Sequence, residues 1–332
     1  MLRLAKFQYL APQSVEEACS LLKEHEGKIK IMAGGTDLLP SIKQRLSTPD
    51  YVLDLKQISD LNKIENGSDK EIRIGSLATL TMLNESRVVK KYFPALSEAA
   101  GLAAARQIRN MGTIGGNILL ETRCSYFNQS ASWRKSIRRC IKTGGEVCHV
   151  VKGGKRCYAY FAADTVPMLV ALKARIAVRD PEGERKYALN QIYTQNGKTP
   201  NILRPTDVLT EIVLPLPEKG SGGSYKKLRV RKAISFPLAG VAVYVVMEGE
   251  TCKEMKIVLG AAGSGPIEVT EAENLLVGNP MTKEAIEEAG NIARKAAQPV
   301  ANAARTPGYR RTMVGVFAKI ALEEAIRRAI PE

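Results

Sequence analysis

Residues 28–38 read KIKIMAGGTDL, and this stretch decides the fold. Residues 28–33 are typical of a β-strand, and the Gly34-Gly35 pair ends that strand. Residues 38–46 have a helical pattern, with Pro40 placing the start of the helix near it. Because glycine has no side chain, the backbone amides of the turn between strand and helix can approach an anion closely.

A second glycine turn lies at residues 112–117, which read GTIGGN. Two such turns can together hold one pyrophosphate, although a glycine turn by itself most often only reverses the chain. The better-known nucleotide motifs are absent. No strand is followed by G-x-G-x-x-G, and Gly197-Lys198-Thr199 lacks the first glycine of a P-loop because position 192 is Ile. The sequence therefore disfavours a Rossmann or P-loop site.

The other segments predict a mixture of helices and strands. Residues 215–224 read PLPEKGSGGS, which is the best linker in the chain and predicts a domain boundary. Asp164 is expected to cap the helix that follows it. Helices are predicted over residues 14–25, 88–105, 164–172, 282–297 and 311–330, and strands over residues 52–55, 71–75, 174–178, 225–230, 239–247 and 253–259.

The composition is that of a soluble protein with several domains. At 332 residues the chain is long enough for two or three domains, and its 45% hydrophobic and 25% charged residues are ordinary for a folded protein. The longest apolar stretch, residues 238–247, is about half of the ~18 residues that a membrane span needs. The first residues do not form a secretory signal, so we expect a cytoplasmic location and no membrane partner.

The net charge of +15 is concentrated in one segment. Residues 123–157 hold nine Lys or Arg and one acid, Glu146, which gives a net charge of +8. From about residue 119 to residue 160 the apolar periodicity also disappears, and a long irregular stretch inside a domain normally has a function or a constraint of its own. A basic segment of this kind can bind nucleic acid, an anionic ligand or an acidic protein.

The basic segment also contains four of the six cysteines. They are Cys124, Cys140, Cys148 and Cys157, with 15, 7 and 8 residues between them. Disulfides are rare in a reducing cytosol, and a zinc site usually has a close pair of cysteines, which is missing here. Four thiolates from one loop also suit a [4Fe–4S] cluster, whose negative charge the surrounding cations would offset. The alternative is four free thiols in a solvated loop, and Cys19 and Cys252 are predicted to be ordinary buried thiols.

The two glycine turns combine with later motifs into a recognisable pattern. Residues 33–38 (AGGTDL) and 107–117 (QIRNMGTIGGN) resemble the paired FAD motifs in the flavin subunits of the xanthine oxidase family. Residues 164–172 and 227–239 are similar to later motifs of that family, so the resemblance covers nearly the whole chain. The cysteine spacing resembles the branch of 4-hydroxybenzoyl-CoA reductases, in which the flavin subunit carries an additional [4Fe–4S] cluster in an inserted loop.

The resemblance implies an α+β fold of the PCMH or vanillyl-alcohol-oxidase type. In this fold two α/β lobes hold FAD, and a C-terminal antiparallel sheet packs with a helix bundle. We therefore expect FAD-binding lobe 1 over residues 1–56 and FAD-binding lobe 2 over residues 57–220, with the [4Fe–4S] loop inserted at residues 119–160. A C-terminal flavoprotein domain is expected over residues 221–332.

The same resemblance assigns binding residues for FAD and for the cluster, and no catalytic residue. The expected cofactor-binding residues are Met32, Ala33, Gly34, Gly35, Thr36, Asp37, Leu38, Gln107, Gly112, Thr113, Gly115, Gly116, Asn117, Asp164, Leu209 and Lys227. The expected cluster ligands are Cys124, Cys140, Cys148 and Cys157. The glycine amides of both turns would contact the pyrophosphate, and threonine and asparagine side chains would add hydrogen bonds. Asp164 would bind the ribityl or ribose region, and Lys227 would lie near the flavin ring.

By resemblance, the chain passes electrons from ferredoxin through the [4Fe–4S] cluster and FAD towards [2Fe–2S] clusters and a molybdenum cofactor on two partner subunits. The complex would be a dimer of heterotrimers, and the reaction would be the reductive dehydroxylation of an aromatic acyl-CoA. Arg138, Arg139 and Lys142 are expected to attract an acidic ferredoxin or to face a partner subunit. The alternatives are an FAD subunit of another xanthine, CO or aldehyde-type molybdenum dehydrogenase, and a basic metal-binding module for nucleic acid.

Overall fold

The computed structural model describes residues 3–67 and 70–330. Residues 1, 2, 68, 69, 331 and 332 belong to the three predicted domains but lie outside the described residues. The strands are β1 (Gln8–Leu10), β2 (Ile29–Met32), β3 (Tyr51–Asp54), β4 (Ile64–Asn66), β5 (Glu71–Gly75), β6 (Arg175–Asp180), β7 (Gly183–Ala188), β8 (Val208–Pro215), β9 (Ser221–Leu228), β10 (Ala239–Glu248), β11 (Thr251–Gly260) and β12 (Ile267–Glu268). The helices are α1 (Val15–Glu24), α2 (Leu38–Lys43), α3 (Leu80–Glu85), α4 (Arg87–Tyr92), α5 (Pro94–Leu102), α6 (Arg106–Arg109), α7 (Ile114–Ile118), α8 (Ala131–Lys135), α9 (Val166–Ala171), α10 (Thr270–Leu276), α11 (Lys283–Ala296) and α12 (Pro307–Ala329).

The strands form three sheets. The first is parallel, with the order β1-β3-β2. The second is antiparallel and has the order β4-β5-β8-β6-β7, and the third is antiparallel with the order β12-β11-β10-β9. A small parallel sheet followed by two antiparallel sheets with helices confirms the predicted α+β class.

Helices cover both faces of the parallel sheet. Neighbouring residues of a strand point to opposite faces, so Val52 and Leu53 of β3 lie on different sides. Leu53 packs in the cluster that contains Leu22 of α1, and Val52 packs with Ile42 of α2. This strand–helix layering explains why residues 28–46 fold as predicted from their pattern, and it fixes the glycine turn between β2 and α2 at one edge of the sheet.

Strand β10 is buried on both faces and joins two cores. Val241, Val243 and Val245 pack in the cluster of the C-terminal helices. Ala242 and Tyr244, which point the other way, pack in the cluster of the second sheet. A strand buried on both sides needs a continuous apolar sequence, and residues 239–247 provide one. The C-terminal unit therefore packs firmly on the unit before it.

The predicted linker over residues 215–224 is wrong in its second half. Strand β9 begins at Ser221, so the glycines that follow are part of a sheet. A β-carbon at Gly222 would overlap the carbonyl oxygen of Ala325 in α12, so the glycine allows a strand and a helix to approach closely. Glycine-rich composition was a sign of close packing here and not of flexibility. The predicted domain limits themselves stay a prediction.

Two further local predictions need correction. The helix predicted over residues 88–105 is two helices, α4 and α5, which are separated at Phe93 because Pro94 begins the second one. Asp164 does not cap α9. The N-cap of that helix is Thr165, and the buried Asp164 carboxylate instead accepts hydrogen bonds from side chains of β9.

The predicted irregular loop over residues 119–160 is largely irregular in the structure. It contains the short helix α8 and one turn of 3-10 helix at Ile141–Thr143. An antiparallel bridge between Arg123 and Tyr160 closes the loop at its base. We refer to residues 122–160 as the cysteine loop. No helix in the described ranges is long and apolar enough to cross a membrane.

Gly222→Ala is expected to destabilise the packing of β9 against α12. The new methyl group would overlap the carbonyl oxygen of Ala325, and overpacking of this kind costs about 1–3 kcal/mol. Urea unfolding followed by circular dichroism should give a lower midpoint for this variant than for the wild type. Gly308→Ala is the matched control, because, apart from its chain neighbours and the backbone of its own helical turn, no described atom lies within 4 Å of its β-carbon position. Equal midpoints for the two variants would contradict the packing argument.

Candidate cofactor site

The two glycine turns lie against each other in the structure. A β-carbon at Gly34 would overlap the carbonyl oxygen of Met111, so the two backbones are in direct contact. A β-carbon at Gly112 would stand 3.4 Å from the hydroxyl oxygen of Thr36. Only glycine permits backbones to come this close. The turns are separated by many residues in sequence, and the fold unites them as the pattern predicts.

The first turn presents a row of unused backbone donors. Within the described residues, the N–H groups of residues 34–37 donate no hydrogen bond to the protein. Gly35 has a φ of 70°, the left-handed conformation that lets successive N–H groups point towards a common centre. Thr36 is exposed and its neighbours are half-buried, so the row is open to a ligand. Such a row suits a phosphate group.

The second turn uses most of its donors internally. The N–H of Gly115 donates to the carbonyl oxygen of Ser76 at 2.9 Å, and the N–H of Gly116 donates to the hydroxyl of Thr113 at 3.1 Å. A β-carbon at Gly115 would lie 2.8 Å from the Ser76 oxygen, so packing alone requires glycine there. Contact of these two amides with pyrophosphate stays a prediction. The geometry gives the first turn the larger supply of free donors.

Asp164 and Lys227 form a buried ion pair beside these turns. The ammonium group of Lys227 lies 2.8 and 2.9 Å from the two carboxylate oxygens and donates to the carbonyl oxygen of Leu102 at 2.9 Å. The Tyr225 hydroxyl donates to Asp164 at 3.2 Å. Burial raises the pKa of Asp164 and lowers the pKa of Lys227, and in both cases the partner's charge opposes the effect of burial. The pair ties lobe 2 to β9, and a direct role at FAD stays a prediction.

The remaining predicted residues occupy different environments. Met32 is buried at the end of β2, with its sulfur 3.3 Å from the β-carbon position of Gly35. Leu209 is buried in β8 next to Gly115, and Gln107 is exposed on α6. The Asn117 side chain accepts hydrogen bonds from the backbone and hydroxyl of Thr165, at 3.2 and 2.7 Å. Ala33, Asp37 and Leu38 flank the first turn at half-buried positions.

The structure brings the four predicted cluster cysteines together. Their side chains line one cavity, together with Tyr126, Phe127, Lys142 and other residues of the cysteine loop. Cys157 is buried and the other three are half-buried. Cys19 and Cys252, by contrast, are buried in separate hydrophobic clusters, where burial raises the pKa of each thiol to about 11. The six cysteines therefore separate into a group of four and two ordinary core thiols.

Two sulfurs of the group, those of Cys140 and Cys148, have a hydrogen-bond donor in their own turn. The N–H of Val151 donates to the sulfur of Cys148 at 3.4 Å. The hydroxyl of Thr143 lies 3.0 Å from the carbonyl oxygen and 3.6 Å from the sulfur of Cys140, and its single proton is shared between these two acceptors. Burial raises the pKa of the Cys124 and Cys157 thiols, and nearby backbone N–H groups, those of Tyr126 and Phe127 for Cys124 and that of Ala159 for Cys157, offset part of this rise. Donors of this kind stabilise thiolate and tune an attached cluster.

A site for one metal ion is not present in the described residues. They contain no group of three or more His, Cys, Asp or Glu side chains placed to hold a metal ion. The zinc alternative is therefore without support. The ligand sulfurs of a four-iron cube stand at its separate corners, farther apart than the ligands of one ion, so a shared cavity is the relevant feature for a cluster.

The basic charge of the cysteine loop is divided between inside and outside. The side chain of Lys142 is only 6% exposed, and its ammonium group donates to Thr122 at 2.6 Å and to the carbonyl oxygen of Gly197 at 2.7 Å. The expectation that Lys142 faces a partner is therefore wrong, because this lysine satisfies buried acceptors. The exposed cations of the loop are Lys135, Arg138, Arg139, Lys152 and Lys155.

Sequence reasoning missed several residues around the site. Arg123 pairs with Asp37 of the first turn, and Arg134 donates to the backbone at the end of α2. Ser76 accepts the hydrogen bond from the second turn, and Tyr225 completes the buried ion pair. No local pattern marks these residues, since each acts on a partner that is distant in sequence. The adjacency of Arg123 to Cys124 was the only available signal.

Two known families match the chain along almost its whole length. Residues 5–217 match the FAD binding domain in molybdopterin dehydrogenase, and residues 223–325 match the CO dehydrogenase flavoprotein C-terminal domain. The chain therefore belongs to the FAD-binding medium subunits of the molybdenum hydroxylase family, which includes CO dehydrogenase and xanthine oxidase. FAD is accordingly its cofactor, and the free amides of the first turn fit the phosphates of that cofactor.

Particular relatives cover the whole chain. The carbon monoxide dehydrogenase medium chain of Afipia carboxidovorans is 30% identical over 324 residues, which cover 97% of this chain and 98% of that protein. The nicotinate dehydrogenase FAD-subunit of Eubacterium barkeri is 28% identical over 318 residues, 95% of this chain and 94% of the relative. A solved carbon monoxide dehydrogenase from Hydrogenophaga pseudoflava contains a chain that superposes with a TM-score of 0.81 at 28% identity, with coverage of 98% and 99%. The predicted PCMH-type fold is confirmed.

Gly34→Ala is expected to weaken FAD binding. The methyl group would overlap the carbonyl oxygen of Met111 and force the two turns apart. A strain of about 1–3 kcal/mol corresponds to a roughly 5- to 150-fold higher Kd. Titration of the cofactor-free full chain with FAD, followed by flavin fluorescence, measures this change. Gly308→Ala is the control with unchanged affinity, and wild-type affinity in Gly34→Ala would refute the placement of the pyrophosphate.

Proposed function

We propose that the chain carries a [4Fe–4S] cluster in addition to FAD and transfers electrons within a molybdenum dehydrogenase. One observation supports the proposal above the others: four cysteines that are separated in sequence line one cavity, and the sulfurs of two of them, Cys140 and Cys148, have a hydrogen-bond donor in their own turn. Four unrelated free thiols have no reason to share one cavity. The donors would stabilise the cluster's sulfur ligands once their protons are displaced by iron.

The charge of the loop supports the same proposal. A cube with four thiolate ligands is an anion, and the loop has a net charge of +8. Lys142 contributes the innermost of these charges, because its side chain is buried and it lines the cavity, while the more exposed Glu121 pairs with it at 3.1 Å and balances part of that charge. A buried cation beside an anionic cluster offsets part of the cost of taking that cluster out of water. When bound, FAD and the cluster would supply the redox chemistry, and the chain holds both in place.

The partner subunits follow from the family. We propose that a large subunit with the molybdenum cofactor and a small subunit with [2Fe–2S] clusters assemble with this chain, as a dimer of heterotrimers in the cytoplasm. The chain then has no substrate pocket of its own, which agrees with the absence of any hydrolytic or acid–base motif in its sequence. The nucleic-acid alternative is not retained, because it leaves the two apposed glycine turns unexplained.

The comparisons favour the broader of the two substrate hypotheses. The relatives are named for carbon monoxide, nicotinate and aldehydes, and these names support a dehydrogenase of the CO, xanthine or aldehyde type. Reductive dehydroxylation of an aromatic acyl-CoA rests on the cysteine loop alone and is the narrower hypothesis. An assay of the purified complex separates them. Dehydroxylation of 4-hydroxybenzoyl-CoA with reduced ferredoxin supports the narrower one, and oxidation of an aldehyde or N-heterocycle supports the broader one.

Replacing Cys124, Cys140, Cys148 or Cys157 singly by Ser is expected to lower the iron content sharply. The wild-type chain should hold about four iron atoms, because a [4Fe–4S] cluster needs all four sulfur ligands. Iron and acid-labile sulfide analysis after anaerobic purification, with saturating FAD, measures the effect. Cys19→Ala and Cys252→Ala are the controls, because these thiols lie in other cores. If one of the four variants keeps its full iron content, the replaced cysteine is not a cluster ligand. A wild-type chain without iron would contradict the cluster proposal.

The exposed cations of the cysteine loop are proposed to attract an acidic ferredoxin. Charge complementarity speeds the encounter of two proteins and is screened by salt. Reversal of Arg138, Arg139 and Lys152 to Glu should therefore slow ferredoxin-dependent reduction of the complex by about tenfold or more at low ionic strength, and the difference should shrink as salt rises.

The matched control for this charge reversal is the replacement of three exposed cations of α11, Lys283, Arg294 and Lys295, by Glu. It changes the net charge by the same amount at another surface, so ferredoxin-dependent reduction should stay close to the wild-type rate. Equal slowing in both variants would indicate an effect of net charge only. Dissociation of the loop variant's complex, or reduction by NADH as fast as by ferredoxin, would remove the ferredoxin assignment.

A further inference from the structure

The cysteine loop holds both ends of the short helix that follows the first glycine turn. Before α2, the guanidinium of Arg123 is ion-paired with the carboxylate of Asp37. After α2, the guanidinium of Arg134 donates to the carbonyl oxygens of Gln44 at 3.3 Å and Arg45 at 2.8 Å. Two arginines of one loop thus contact α2 at both ends, and the turn with the unused amides leads directly into this helix.

Arg123 is anchored where the cysteine loop closes. Its N–H donates to the carbonyl oxygen of Tyr160 at 2.8 Å, and its carbonyl oxygen accepts from the N–H of Tyr160 at 2.9 Å. This bridge stands immediately before Cys124 and three residues after Cys157, so it lies beside the first and the last cysteine of the loop. The backbone of Arg123 therefore lies where a change in how those two cysteines are held would act first.

The side chain of Arg123 lies between the carboxylate of Asp37 and the ring of Phe236. It is 16% exposed, and its guanidinium lies 4.6 Å from the centre of the Phe236 ring. Its Nε is buried without an acceptor among the described residues, so Asp37 is the charged group that balances it. Removing one member of this partly buried ion pair leaves the charge of the other uncompensated. The positions of the loop and of the first turn are therefore energetically dependent on each other.

We propose that Arg123 and Arg134 are positioning residues that couple the two cofactor sites, so that a cluster in the cysteine loop strengthens FAD binding at the first glycine turn. The inference rests on the proposed [4Fe–4S] cluster. Fixing a segment of chain costs conformational entropy, so the group that binds first orders α2 and its neighbouring turn and lowers this cost for the second. Coupling between two sites is reciprocal, so FAD also stabilises the cluster.

The test compares FAD affinity with and without the cluster in the full chain. Cys148→Ser supplies the form without the cluster. Neither Arg123 nor Arg134 makes a hydrogen bond to Cys148, whose sulfur accepts from the N–H of Val151. We expect the wild-type chain with its cluster to bind FAD about 5- to 150-fold more tightly than Cys148→Ser. In the Arg134→Gln background this ratio should fall towards one. Arg138→Gln is the matched control, because Arg138 is an exposed arginine of the same loop, and it should keep the full ratio.

A second measurement keeps the test decisive if a variant folds poorly. Loss of iron from the wild-type chain to a chelator should be slower when FAD is bound than when it is absent, and Arg123→Gln should remove this protection. The comparison requires a full iron content in the wild-type chain and none in Cys148→Ser. If these two forms then bind FAD with equal affinity, the coupling is overturned and the proposed cluster is unaffected. A wild-type chain without iron would overturn both.

Discussion

The contact between two glycine turns is the constraint on which the rest of this structure depends. Gly34 touches the backbone of Met111, and no larger residue can occupy that position without separating the turns. The first turn follows a strand of the parallel sheet, whereas the second runs into α7, whose first residues include Gly115 and Gly116. The contact therefore fixes the two lobes relative to each other at the edge where the backbone donors of residues 34–37 are free.

The cysteine loop is built around the same edge. It has little regular secondary structure, and its shape is set by polar contacts made by side chains that are buried or half-buried. Lys142 donates to Thr122 inside the loop and to the carbonyl oxygen of Gly197 outside it, while Arg123 and Arg134 reach across to the first turn and α2. A loop constrained in this way can hold four sulfurs around one cavity without a hydrophobic core of its own.

The C-terminal unit stabilises this arrangement from the other side. Strand β10 contributes alternate residues to two cores, so its burial links the helices α11 and α12 to the second sheet. The ion pair of Asp164 and Lys227 crosses the same junction. Arg310 of α12 is fully buried and donates to the carbonyl oxygens of Leu238 and Ala261, both at 2.7 Å. Apolar burial and a few satisfied charges therefore fix the C-terminal unit against the part of the chain that carries the two glycine turns.

The sequence by itself determined the elements whose pattern is local. The glycine turns, the strand and helix around the first turn, the apolar strand β10 and the grouping of four cysteines in a basic loop were all predictable, because periodicity, glycine and charge are properties of neighbouring residues. Only the tertiary structure decided three other points. Asp164 is an ion-pair partner rather than a helix cap, Gly222 is a packing site rather than part of a linker, and Lys142 faces inward. Each of these depends on an atom distant in sequence that approaches only after folding, and no pattern of adjacent residues records such an approach.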